Sequence, residues 1–198
     1  ATSTDAAAAA ATMLLVGLIA LGFGHKAFAA GPDYNPAPPL AVPESVIHQA
    51  RADDDHFASG TATIRWSAVK GQVLPLLYEP AVLTGVTYPT KALKLMPSVV
   101  LGKRVQQLVA QQGGDFKIEV QYQIRLEHAQ GSAGFRLPTP YGLVTRATLT
   151  IKDRDVDLTN LQAVSVERRV EGNNTVAEFV FAPVTDCSVG WKPRSRDV

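Results

Sequence analysis

A single cysteine, Cys187, stands among the 198 residues, so the chain can form no internal disulfide. A charge surplus is also missing. The 19 basic and 18 acidic residues leave a formal charge of +1, which excludes the basic footprint that a dedicated nucleic-acid binder needs for its phosphate contacts. Phosphate-cradling loops are absent: there is no G-x-G-x-x-G, and Gly102-Lys103 lacks the upstream glycine and the following Ser/Thr of a P-loop. Gly131-Ser132-Ala133-Gly134 has neither the spacing nor the strand-to-helix setting of a G-x-S-x-G nucleophile elbow and reads as a turn. Past residue 56, no helical periodicity runs for more than ten residues. What remains is a chain with 46% apolar residues and a mean hydropathy of +0.04, enough to bury the core of one domain plus appendages.

The longest apolar run is at the start. From Ala6 to Gly24, 19 residues carry no charge, and as a helix they would reach about 28 Å, close to a hydrocarbon core of about 30 Å. Thr2, Ser3, Thr4 and Asp5 supply capping oxygens in front of it. Ala27-Phe28-Ala29 has the form of a signal-cleavage site, but Asp5 and the absence of Lys or Arg before the run argue for a retained anchor over 1–26. Ala10, Met13, Gly17, Ala20 and Gly24 follow at three- and four-residue steps, a small-residue stripe suited to close helix packing in a bilayer. The same residues are also simply common in spanning helices. His25, at the interface, reads first as an unpartnered imidazole and second as a ligand to a metal or pigment magnesium. Lys26 alone would put the far side in the cytoplasm. The export-like AFA and the all-β pattern behind it point instead to an inner-membrane, single-pass chain with a periplasmic domain.

Prolines 32, 36, 38, 39 and 43 make a semi-rigid spacer, and 27–56 is expected to be a linker, with a short helical turn over Glu44–Ala52 and a solvated loop at Asp53-Asp54-Asp55. Beyond it the period becomes two. Phe116, Ile118, Val120, Tyr122, Ile124 and Leu126 alternate with Lys117, Glu119, Gln121, Gln123, Arg125 and Glu127, and Ala62, Ile64, Trp66 and Ala68 alternate in the same way. Shorter strands are expected near 73–78, 81–88, 93–101, 105–111, 134–137, 144–152, 163–170, 175–181 and 187–192, with turns at Gly113-Gly114, Gly131-Ser132 and Gly172-Asn173. The pattern predicts an all-β, Ig-like antiparallel β-sandwich over 57–194 and a short tail over 195–198.

Three runs carry a resemblance: Gly134-Phe135-Arg136-Leu137-Pro138-Thr139-Pro140, Arg146-Ala147-Thr148-Leu149-Thr150-Ile151, and Ser188-Val189-Gly190-Trp191-Lys192-Pro193-Arg194. Together they resemble β-sandwich segments of large uncharacterised bacterial membrane proteins, over roughly residues 57–194. The resemblance implies fold and a bacterial origin and carries no catalytic residue across.

The inventory of reactive groups is thin. His48, Asp53, Asp54, Asp55 and His56 fall within nine residues, but their spacing matches no zinc set and no EF-hand, so a solvated acidic loop is expected. Glu167, Arg168, Arg169 and Glu171 read as a charged sheet face, Cys187 as a buried core thiol, and Trp191 to Arg196 as a frayed tail. The sequence therefore predicts no enzyme, no cofactor, no metal and no nucleic-acid partner. It predicts a structural subunit, partnered by the bilayer and by other transmembrane subunits of a larger complex, with an energy-transducing assembly, photosynthetic or respiratory, as the expected kind. The alternative is an anchored extracytoplasmic module that binds a peptide or ligand.

Overall fold

Alternation of apolar and polar side chains is carried into fourteen strands in a computed structural model, which describes residues 41–100, 102–159, 162–183 and 187–194. In chain order they are β1 (Ser45–Ala52), β2 (Phe57–Ala68), β3 (Val73–Leu77), β4 (Val82–Thr87), β5 (Leu93–Val100), β6 (Lys103–Ala110) and β7 (Gly114–Arg125). There follow β8 (Glu127–Ala129), β9 (Ser132–Arg136), β10 (Val144–Ile151), β11 (Val156–Leu158), β12 (Ala163–Glu171), β13 (Asn174–Phe181) and β14 (Ser188–Pro193). All belong to the compact unit Ala37–Val198. The helix expected over 1–26, with Ala10, Met13, Gly17, Ala20, Gly24 and His25, lies outside the described residues, as does the tail 195–198. Among the described residues no helix is long and apolar enough to cross a membrane.

The all-β expectation holds, with three sheets. A seven-stranded sheet runs β12-β13-β10-β1-β2-β7-β4, a four-stranded sheet runs β11-β14-β9-β8, and a three-stranded sheet runs β3-β6-β5. Two corrections concern the first of these strands. The segment 44–52 forms no helical turn: Ser45–Ala52 is a central strand, antiparallel to β2 and parallel to β10, with Ser45 opposite both Arg65 and Val144. The folded unit therefore begins inside what was expected to be linker, and the large sheet is mixed, not antiparallel throughout as an Ig-like sandwich requires. The physical reason lies in tertiary pairing. Val46, His48, Ala50 and Ala52 are buried in alternation with exposed Ile47, Gln49 and Arg51, and partners on both edges override the helix preference of Ala, Gln and Arg.

β7 keeps the long alternation read from the sequence, with Phe116, Ile118, Val120, Tyr122 and Ile124 all buried and paired along the whole length of β2. Two short strands, β8 and β11, had no sequence signature; the turn between β8 and β9 is two residues, Gln130 (φ 49°) and Gly131 (φ 78°), the left-handed pair that a tight hairpin demands.

The core lies against one face of the seven-stranded sheet. Reading across it, Phe179, Ala147, His48, Ala62 and Val120 stand opposite one another on five adjacent strands, and a row below come Ala177, Leu149, Ala50, Gly60 and Tyr122. The middle of this face is floored by alanines, and its flanks by Ile64, Trp66, Ile118, Phe179 and Phe181. We expect Ile64→Ala, at a fully buried position, to cost about 3 kcal/mol of unfolding free energy. Ile47→Ala, one strand away on the opposite face, should stay within about 0.5 kcal/mol. Urea denaturation of the two variants reads the face assignment directly.

Candidate functional site

One histidine is placed where a hydrophobic residue would be expected. His48, on β1, has no solvent exposure, and both ring nitrogens are engaged: Nδ1 lies 3.1 Å from the Tyr122 hydroxyl and Nε2 lies 3.0 Å from Thr139 Oγ1. The Thr139 hydroxyl donates its one proton to the Pro140 carbonyl at 3.3 Å. It must therefore accept from Nε2–H, which leaves Nδ1 to accept from the Tyr122 O–H. The four groups form one satisfied chain from Tyr122 through His48 and Thr139 to the backbone of Pro140.

Neighbouring residues make this geometry feasible. Gly60 is the β2 residue opposite Tyr122, and a Cβ there would lie 2.5 Å from the phenol ring, so only glycine lets the ring lie across β2 toward β1. His48 stands between Ala62 and Ala147 on the adjacent strands, small side chains that leave it room, and Thr139 of the buried segment 137–140 reaches its imidazole. That segment is tied at its start, the Leu137 amide donating to Cys187 O and the Tyr78 amide to Pro138 O. A small cavity of about 10 Å³ is bordered by His48, Thr139, Thr145 and Cys187. It is at the lower limit for a single water.

Burial pulls the His48 pKa down from 6.5 to about 3, because an imidazolium there would lose its hydration with no carboxylate to replace it. Burial likewise holds the Tyr122 phenol well above its ordinary value. At neutral pH this is a neutral hydrogen-bonded chain, with no group poised to take or give a proton.

Two clefts open at the two ends of β9. The larger, about 430 Å³, is walled by Asp55, His128, Ser132, Arg154, Asp155 and Trp191. Arg154 is ion-paired with Asp55, whose carboxyl it holds below the usual range, and Asp155 is ion-paired with Arg168. The second, about 360 Å³, is walled by Tyr78, Lys103, Ile124, Arg136, Thr139 and Tyr141, with burial raising the Tyr78 phenol. Both volumes lie in the range of small-ligand sites.

The acidic cluster read from the sequence is dispersed. His48 points into the core, Asp53 pairs with Arg51, and Asp54 caps the amides of His56 and Phe57 at 2.7 and 2.9 Å, which lowers its carboxyl. Among the described residues no three His, Cys, Asp or Glu side chains come together as a metal site. Cys187 is buried, as read. The charges of β12 divide between two faces: Arg169 pairs with Glu171 and Glu178, whereas Arg168 turns inward to Asp155 and to the carbonyl of Val156 at 2.7 Å. Trp191 is core, at 2% exposure, and Arg194 lies 3.6 Å from Asp155, so residues 191–194 are part of the fold and not a frayed tail; 195 and 196 lie outside the described residues.

No family model matches this chain, and no curated protein sequence does. Among solved structures, it is similar to an M1 zinc metallopeptidase from Deinococcus radiodurans (TM-score 0.51, 11% identity), covering 81% of this chain and 44% of that one. It is similar also to yeast LTA4 hydrolase in complex with bestatin (TM-score 0.51, 12% identity), covering 84% of this chain and 32% of that one. The likeness is one of fold, and the chain spans less than half the length of either protein.

The unfolded chain takes up a proton on His48 near pH 6.5 and the folded chain only near 3, so this residue's contribution to stability is complete above 6.5 and is lost as the pH falls. Between pH 7 and pH 5 we expect unfolding free energy to drop by about 2 kcal/mol, and His48→Gln to remove that part of the slope. Tyr122→Phe, which strands the Nδ1 acceptor, should cost about 1–3 kcal/mol at pH 7, measured by urea titration.

Proposed function

We propose that this chain is a non-catalytic structural module: a β-domain held at a bacterial inner membrane by its apolar N-terminal segment, on the periplasmic side, that braces a larger assembly by packing against a further folded unit. The observation that supports this reading most is the way the fold uses its reactive groups. Its most buried histidine is neutral, with both nitrogens bonded, its cysteine is in the core, and the arginines around the larger cleft are paired. Such groups hold a scaffold together. The modular part of the reading is supported by the likeness to two chains of which this fold makes up 44% and 32%. The membrane part is supported by the 19 uncharged residues from Ala6 to Gly24.

A second reading follows from the same likeness, since both similar structures are hydrolases by name: the further unit would be a zinc peptidase domain, with this chain as its β-partner. The two readings share a test. Extraction from native membranes in mild detergent, followed by native mass spectrometry, should find the chain in a complex of fixed stoichiometry, and absorption of that complex would reveal any pigment or haem. A lone species near 21 kDa plus detergent would overturn the bracing role. The purified full chain supplied with zinc and an aminoacyl chromogenic substrate should show no turnover above the blank. Turnover by the whole complex would select the second reading, and turnover by the chain alone would overturn the non-catalytic assignment.

A further inference from the structure

The core face of the seven-stranded sheet extends past its cover. Phe179, Ala177 and Thr175 on β13 are buried, but the residues opposite them on β12 are Val166, Arg168 and Val170, and the two valines are 39% and 51% exposed. β12 is also the last strand of that sheet. Among the described residues no backbone hydrogen bond reaches its outer edge from Val164 to Glu171. An edge of this length is a template for another strand unless lysine, proline, a bulge or an inward charge blocks it. β12 has no lysine and no proline, and its bulge is at the start, between Ala163 and Ser165. Arg168 is the inward charge, and its guanidinium is held by Asp155 and the Val156 carbonyl. The opposite face of the strand is short of a cation. Glu167 stands across from Glu178, and Arg169 is taken by Glu178 and Glu171, so Glu167 has no ion pair among the described residues. Arg146, opposite Val180 on β10, lies two strands away.

The strand that fits this edge is β12 itself. In the order Val166-Glu167-Arg168-Arg169-Val170, an antiparallel copy centred on Arg168 sets Glu167 opposite Arg169 and Val166 opposite Val170, each twice. We propose that two copies of this chain join in that register about a twofold axis, their large sheets continuing into one. The valine pairs cover the bare strip of the core face, and each Glu167 gains the cation that its own sheet lacks. Opposite-charge and β-branched pairs are the side-chain contacts that stabilise adjacent strands. The two Arg168 side chains meet at the axis, each already neutralised by its own Asp155. Moving the centre by one residue sets Glu167 against Glu167 or Arg169 against Arg169, so the charges select the register. An isologous contact of this kind closes as a dimer and leaves no third copy an edge to join. The inference goes beyond the bracing role, which needs no second copy.

The full chain in a density-matched mild detergent should sediment as a dimer. Two variants, Val166→Cys and Val170→Cys, read the register. Opposed residues of antiparallel strands have Cα atoms about 5 Å apart, within disulfide reach. Position 166 and its own copy would be four residues out of step, about 14 Å along the strand and too far to bridge, and the same holds for 170. Mild oxidation of a mixture of the two variants should therefore give a crosslinked dimer, and oxidation of either alone should not. Cys187 is buried, and the wild type serves as the blank. Glu167→Arg should weaken the dimer at least about tenfold, and Glu167→Arg/Arg169→Glu should restore most of the loss. Both positions are exposed, so thermal unfolding of the variants, followed by near-UV circular dichroism, should start from the native signal. A monomer at every concentration would overturn the proposal. So would a dimer indifferent to Glu167→Arg, a mixture that does not crosslink, or a crosslink within either variant alone.

Discussion

Everything in the core is arranged around how closely a crossing segment can approach the centre of the large sheet. Around His48 the buried face of the sheet carries Ala50, Ala62 and Ala147, and Gly60 leaves room for the Tyr122 ring, residues with one side-chain carbon or none. A side chain at Gly60 would strike the Tyr122 ring, and interiors close-packed to crystal density have no slack to absorb the difference. Because the gap is shallow, an imidazole on β1 and a hydroxyl on the segment meet at 3.0 Å, and the phenol of Tyr122 closes the other side. A buried polar group is tolerated when its donors and acceptors have partners, and both ring nitrogens of His48 do. The polar chain also gives the segment one position where an apolar contact would permit several.

That fixed segment sets the rest. Leu137 and Pro138 are stapled to Cys187 and Tyr78, which brings β9 and β14 against the sheet on one side and the loop after β3 on the other. The second cleft, walled by residues 136–141, follows from this placement. The larger one combines an apolar floor that includes Trp191 with a rim where Arg154 is paired with Asp55 and Asp155 with Arg168. Surface pairs of this kind contribute little stability singly, and their effect is to orient the loops that carry them.

Much of the architecture was legible in the residues. The twelve-residue alternation of β7 and that of β2 specify one wet and one dry face without reference to any partner, and Gly172-Asn173 announces the turn between β12 and β13. β1 was not legible. Its buried phase is Val46, His48, Ala50, Ala52, in which two alanines and a histidine supply no hydrophobic contrast, so the period-two signal vanishes although the strand is the most central in the sheet. The site shared that fate. His48 is marked in the sequence only by its nearness to Asp53–Asp55, and nothing in the local sequence distinguishes an imidazole that meets Thr139, 91 residues away, from one in a solvated loop. Gly60 was a readable clue, a glycine inside a strand, which signals close approach of another group.

The parallel pairing of β1 with β10 has a consequence for the order of assembly on the ribosome. β1 emerges early and finds β2 at once, yet its second edge must wait for residues 144–151, about a hundred positions later. Until then the nascent sheet presents an open strand of unpaired amides and carbonyls, with the apolar faces of β2 and β7 only partly covered. At a synthesis rate of about 5–20 residues per second that interval lasts several seconds, long on the timescale of hairpin closure and of misdirected strand pairing. A polypeptide built in this way depends on whatever shields that edge while the second half of its own sheet is still being made.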